Sequence, residues 1–409
     1  MLIPLGFIGG LDNGWLARLG NDSSDQFGQA VTLDSSGNFY AAGSTTESGT
    51  RSGLIAKYDN DGVIQWQRRL TTSSVIQYFG IGIDSSANLY VAGTDTTGIM
   101  IAKYNSSGSI QWQKRIGSSG VTGRAIKTDS SGNSYVVGGN QSSTGAVLIK
   151  LDSSGSITWQ RKLTGGTNTE VAFGVGTDTS GNVYVVGNGF GNLFASKYNS
   201  SGTIQWQRTI SLSGIMSGAA VDDSGNVYYT GRTDTSIMIL GKFTSTGTLD
   251  WQRELGTAGN TEGFGVAVDN AGSVYFAGFG QVSGRGSEQL IAKYSTSGTL
   301  TWQRSLGEAG SDTAYGLGYD SRGFIVVTGR GFANDRLALA KLPEDGSGLG
   351  TVSLGGFSIQ YATSSFTNTT TTYSDSAGTM TDSAGSLSAS TTTYTDAATT
   401  LTSNARDLP

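Results

Sequence analysis

The sequence predicts an all-β fold, a seven-bladed β-propeller of four-stranded blades, and three observations carry that expectation. Tryptophan occurs seven times, at Trp15, Trp66, Trp112, Trp159, Trp206, Trp251 and Trp302, with spacings of 51, 46, 47, 47, 45 and 51 residues. A self-similar unit of about 40–50 residues marks a propeller, a solenoid or an array. Each unit also repeats an Asp-led tight turn, and the composition favours short strands: 63 glycines, three prolines and only 14% charged residues in 409.

The elements of one unit follow in order. The first run is short, apolar and flanked by glycine, as in Phe27-Gly-Gln-Ala-Val-Thr-Leu. A turn opens at Asp34, Asp84, Asp129, Asp178, Asp222, Asp269 or Asp320, and Gly follows three residues later except at Ala87. Asp bonds back to the local backbone and Gly accepts positive φ, so this is hairpin chemistry. The second run, Asn-Val-Tyr-Val-Val-Gly or similar, is rich in β-branched and aromatic residues. The third carries Lys57, Lys103, Lys150, Lys197, Lys242, Lys293 or Lys341. A second tight turn leads to the fourth, where Ile64, Trp66, Arg68 and Leu70 alternate with Gln65, Gln67 and Arg69. That period of two specifies a strand.

The motifs GNVYVVG, AKYNSSG and IQWQR resemble the bacterial and phage β-propeller repeats of the SBBP type, and also NHL-type blades, from about Trp15 to Leu342. The resemblance implies the fold and is poor in functional detail. Because the last unit ends at Lys341-Leu342 without a tryptophan strand, Trp15 to Leu19 is expected to complete blade seven and close the ring, which removes an open sheet edge. The alternative filler is Leu349 to Leu354. The tryptophans are expected to pack between blades, as are the repeated lysines and the Arg or Lys two residues after six of them.

Function is narrowed first by exclusion. With no histidine and no cysteine, imidazole-activated nucleophiles, thiolate chemistry, disulfides and the usual zinc sites are ruled out. No cofactor or metal is expected; Asp59-Asn-Asp61-Gly62 superficially resembles a calcium loop but lacks the closing Glu. A carboxylate pair drawn from Glu170, Glu262 and Glu308 is the only catalytic alternative, a polysaccharide hydrolase, and the expectation is that the protein is not an enzyme. A net charge of −5 without basic clusters argues against nucleic acid, and no run is long enough to span a membrane. Residues 1–14 lack a basic region and cleavage site, so no export signal is expected.

The 1–2 and 3–4 turns share one face, the bottom, and are nearly uniform. The connections on the top vary, which is where recognition usually sits. Long top loops of blades six, seven and one, made neighbours by closure, nominate Glu47, Arg51, Phe279, Arg285, Glu288, Arg330, Phe332 and Asp335 for binding a cell-surface glycan or protein. Four regions are expected: an apolar N-terminal arm, 1–14, offering Leu2, Ile3, Leu5, Phe7 and Ile8 for docking; the propeller, 15–342; a linker, 343–358; and a Ser/Thr-rich tail, 359–409. In the tail, Ile359, Phe366, Tyr373, Met380, Leu387, Tyr394 and Leu401 recur every seven residues, a coiled-coil-like heptad spacing that predicts a helical stalk for homo-oligomerisation, preferably a trimer. Together these features suggest a structural and recognition component of a larger assembly: a bacteriophage virion protein such as a tail fibre or appendage, bound to other virion proteins, or alternatively a bacterial surface or secreted binding propeller.

Overall fold

The computed structural model describes residues 14–407 except 20–24, 47–48, 72–74, 118–119, 141–144, 165–169, 190, 257–258, 260, 309, 332–335, 355–356, 366, 371–374, 378–380, 385–388, 392–394 and 399–402. Strands and turns account for all regular structure among them, with no helix. Seven antiparallel four-stranded units follow one another. The first runs Gln26–Leu33, Phe39–Thr45, Ser52–Tyr58 and Ile64–Thr71, paired in sequence order.

The seventh is completed from the other end of the chain. Trp15–Leu19 lies antiparallel to Arg336–Pro343, with Trp15 opposite Lys341 and Leu19 opposite Leu337. Gly350–Leu354 does not fill that place; it forms a hairpin with Phe357–Thr363 on the outside of blade six. Closure therefore follows the missing tryptophan strand, as expected.

The blades are latched at the bottom by one arrangement repeated around the ring. Each tryptophan indole N–H donates to a carbonyl in the 3–4 turn of the next blade: Trp66 to Ser106 at 3.2 Å, Trp159 to Ser200 at 3.1 Å, Trp302 to Glu344 at 3.1 Å, and across the seam Trp15 to Asn60 at 2.9 Å. The turn glycine rests on the indole face; a Cβ at Gly62 would stand 2.8 Å from the Trp15 ring. Two residues on, Arg68 donates Nε to the Gly108 carbonyl at 2.8 Å, and Arg304 does the same to Gly346. The third-strand lysine lies over the second-strand aromatic, Lys103 at 4.9 Å from the Tyr90 ring. These repeated aromatics and cations thus hold blade to blade.

The Asp turns are equally regular. Asp34 accepts the backbone N–H groups of Ser36 and Asn38 on Oδ1, and the Asn38 amide and Tyr40 hydroxyl on Oδ2, all within 3.0 Å. Burial alone would raise the Asp34 carboxyl, but these hydrogen bonds and nearby Lys57 outweigh it and hold the pKa below the ordinary value. The exceptional Ala87 is forced to φ 58° where glycine stands elsewhere, a conformation that costs a side chain about 1–2 kcal/mol. Asp59 of the calcium-like stretch is used in the same way, accepting the N–H groups of Asp61 and Val63.

The tail overturns the helical expectation. Its described segments are strands, and each pairs antiparallel with the outer strand of a different blade: Phe357–Thr363 on blade six, Asn368–Thr370 on five, Asp375–Ala377 on four, Thr381–Ala384 on three, Ala389–Thr391 on two, Thr395–Ala398 on one and Ser403–Asp407 on seven. The register advances by one heptad per blade: Leu306, Leu255, Ile210, Leu163, Ile116, Leu70 and Leu19 face residues 361, 368, 375, 382, 389, 396 and 403. A seven-residue period excludes a single strand, because alternate positions would change face. It does not exclude a strand that restarts on each blade. Three to five residues pair on each blade, and the next pairing begins on the neighbouring blade. Ile359 is buried, 1% exposed, among residues of blades six and seven; the other six heptad residues, Phe366, Tyr373, Met380, Leu387, Tyr394 and Leu401, lie outside the described residues. The ground for an oligomeric stalk is thereby removed: the tail finds its partners in its own propeller.

Candidate functional site

The innermost strands surround a central channel, and each carries a β-bulge at the same position. The pairing shifts register between Gly28 and Ala30, Tyr78 and Gly80, Gly123 and Ala125, Ala172 and Gly174, Met216 and Gly218, Gly263 and Gly265, and Ala314 and Gly316. The residue after each bulge meets the neighbouring innermost strand and is Gly or Ala in every blade; a Cβ at Gly80 would stand 2.8 Å from the Ile126 nitrogen, so that position needs glycine. A bulge re-aims the extra side chain. The seven extra residues are Gln29, Phe79, Arg124, Phe173, Ser217, Phe264 and Tyr315, all half-buried and all lining one chamber of about 390 Å³ near the top of the channel. Val31, Val175, Ala219, Val266 and Leu317 line both this chamber and a second, of about 560 Å³, towards the bottom.

The collar has defined internal contacts. The Arg124 guanidinium lies between the Phe79 and Phe173 rings, 5.2 and 5.3 Å from their centroids. Enclosure lowers its pKa from the usual guanidinium value. Across the chamber, Phe264 contacts Tyr315 at 5.0 Å between centroids and Phe279 at 6.4 Å. Glu262 also lines the chamber and accepts a hydrogen bond from Arg232 Nε at 3.1 Å; burial raises its carboxyl above the ordinary value despite that arginine. Lys127, three residues beyond Arg124, lines both chambers, and desolvation by the channel wall, which still leaves solvent contact, lowers its pKa.

The residues nominated from the sequence are distributed over three separate contacts. Arg51 and Arg330 do meet across the seam, each 5.3 Å from the centroid of Phe27. Arg285 is engaged with Glu288, which is 2% exposed, and donates Nη2 to the Gly307 carbonyl at 2.8 Å, so this pair shapes its own loop. Phe279 alone reaches the collar, through Phe264. Glu47, Phe332 and Asp335, and the arm residues Leu2, Ile3, Leu5, Phe7 and Ile8, lie outside the described residues. Of the three glutamates, Glu170 is wholly buried, Glu262 is held by Arg232, and Glu308 follows the last strand of blade six. The collar itself was missed. Its signal was present as one variable residue between small ones, as in Gly-Arg-Ala, Ala-Phe-Gly and Ala-Tyr-Gly, but it sits inside strands rather than in the top loops.

Comparison with known proteins places this architecture. The family described as outer membrane protein assembly factor BamB, PQQ_2, matches residues 12–242 and, in an overlapping register, 97–311. The chain belongs to this family. The repeat is thus of the BamB-like type. Two solved structures are similar to this chain in fold. One is YCF48 bound to D1 peptide, 12% identical, TM-score 0.52, covering 83% of this chain and 97% of that one. The other is Sqt1 from Chaetomium thermophilum, 11% identical, TM-score 0.51, covering 85% and 100%. At such identities the likeness is of fold alone. No curated protein matches the chain.

Proposed function

We propose that the protein is a non-enzymatic recognition propeller within a larger assembly, and that it binds its target at the upper mouth of the channel. The observation that carries this reading is the collar. Seven equivalent bulge positions hold four aromatic rings, one cation, one amide and one hydroxyl around a single chamber, the aromatic-rich concave lining with few polar groups that ligand sites favour. The turns, tryptophans and lysines of the blades are engaged with each other, which leaves the collar as the place where the repeat diversifies.

The bottom rim is the attachment side in this proposal. Trp15 pairs with Asp407, so both ends of the described chain emerge at one bottom corner of blade seven. The wider setting is an assembly at a bacterial envelope, which the BamB family description favours, or a bacteriophage virion appendage that meets such an envelope, as the composition suggested. The fold neighbour YCF48, solved with a peptide bound, supports binding as a use of this architecture.

The experiment is a binding comparison on arrays of bacterial glycans and envelope proteins. Wild type is expected to retain a ligand that Phe173→Ser/Phe264→Ser loses at unchanged melting temperature, while the bottom-rim change Gln111→Ala retains it. Retention by the collar variant and loss by the rim variant would reverse the assignment of faces.

A further inference from the structure

The collar's chemistry narrows the ligand, resting on the reading of the collar as the recognition site. Gln29, Ser217 and Arg124 make no hydrogen bond or ion pair with any described residue, although Arg124 Nε is buried. The Arg124 guanidinium carbon sits 5.2 and 5.3 Å from the Phe79 and Phe173 ring centroids. Its N–H groups form a planar fork that matches two oxygens of an oxyanion. Lys127 adds a second cation without a partner among the described residues, in a chain whose net charge is −5. Enclosing an unpaired cation is costly, and the half-buried Arg124 stands on the same strand as the exposed Lys127 at the wall of a chamber.

The remaining positions specify what carries the oxyanion. Phe264 and Tyr315 offer aromatic surface for the C–H face of a ring. The Gln29 amide and Ser217 hydroxyl offer donors and acceptors for hydroxyl groups. A chamber of about 390 Å³ falls in the range of small-ligand sites, about 300–1,000 Å³.

We propose that the upper chamber binds an acidic monosaccharide unit, its oxyanion held edge-on by Arg124, its ring against Phe264 and Tyr315, and its hydroxyls on Gln29 and Ser217. The oxyanion comes from the carboxylate of a sugar acid or from the phosphate of a sugar phosphate, and the two are separated by the probes used.

The test is titration of the full-length chain with D-glucuronate, glucose 6-phosphate and glucose, followed by ligand-observed NMR. At least one acidic sugar is expected to bind about tenfold or more tighter than glucose, the worth of one charged hydrogen-bonded contact, and which one binds names the source. Arg124→Gln should erase that advantage while leaving the fold and the weak glucose binding intact. Phe264→Ala should weaken all three. No binding by either acid at millimolar concentration, equal binding of acid and neutral sugar, or acid binding untouched by Arg124→Gln overturns the inference. In each case array binding that is still lost in Phe173→Ser/Phe264→Ser keeps the collar as the recognition site, and array binding indifferent to those changes removes both readings.

Discussion

The bottom rim and the channel collar are both built from seven equivalent positions, yet they are filled in opposite ways. At the rim the same tryptophan, lysine and Asp-led turn recur in blade after blade, with every tryptophan hydrogen-bonded to the next blade. At the collar the seven positions hold Gln, Phe, Arg, Phe, Ser, Phe and Tyr, and three of the side chains make no hydrogen bond or ion pair with a described residue. In a repeat protein the uniform slot marks what every blade needs from its neighbour. The slot that varies while its backbone stays fixed marks what the molecule needs as a whole.

The largest test of that contrast is removal of residues 1–20. The segment Trp15–Leu19 lies between two strands, Arg336–Pro343 and Ser403–Asp407, and pairs with both, so its loss opens the ring. We expect no cooperative melting transition by calorimetry; unchanged melting would mean that closure contributes nothing. Next comes truncation after Leu354, which uncovers the outer edge of every blade. Exposed edges template association, so light scattering should show a monomer becoming self-associating, with a lowered melting temperature. A stalk would have behaved in the reverse way, an oligomer becoming monomeric.

A pair of point changes sharpens the comparison by sign. Trp15→Ala, at a residue 2% exposed, should cost about 3–5 kcal/mol. Arg124→Met should instead stabilise the fold by about 1 kcal/mol, since it removes a desolvated charge with no ion-pair or hydrogen-bond partner among the described residues and keeps an apolar side chain against Phe79 and Phe173. Urea unfolding measures both; destabilisation by the arginine change would make the collar a structural element like the rim.

An effect of similar size concerns pH at the seam. Lys341 is 1% exposed, and burial, with Arg322 nearby, lowers its pKa from 10.5 to about 8. Between those values the unfolded chain binds more protons than the folded one, so stability rises with pH. From pH 8 to roughly 9.5 the gain should be about 1–2 kcal/mol, and Lys341→Met should flatten it. A rise of equal size in the variant would assign it elsewhere.

The propeller was legible in the sequence because its determinants are local and repeated. Alternation in Ile64, Trp66, Arg68 and Leu70, the Asp-led turns, and a missing last tryptophan strand together specify blades and their closure. The heptad of the tail was legible too, but its meaning was not. Seven residues is both the repeat of a coiled coil and the advance needed to reach the next blade, and only the neighbouring strands decide between them. The collar escaped for a related reason. A bulge is a register shift between two strands, and nothing in Gly123-Arg124-Ala125 alone states that the partner strand skips a residue there.

The one-heptad-per-blade tail also has a mechanical consequence. Its strands are attached side by side to separate blades, so a pull on the C-terminus loads one short pairing at a time instead of all seven together. Ser403–Asp407 on blade seven would peel first, then Thr395–Ala398 on blade one, with Phe357–Thr363 on blade six last. Each event would release one heptad, at most roughly 25 Å of extended chain at about 3.3–3.6 Å per residue. Under tension the tail would behave as a seven-notch ratchet, yielding in small equal steps before the ring itself bears any load.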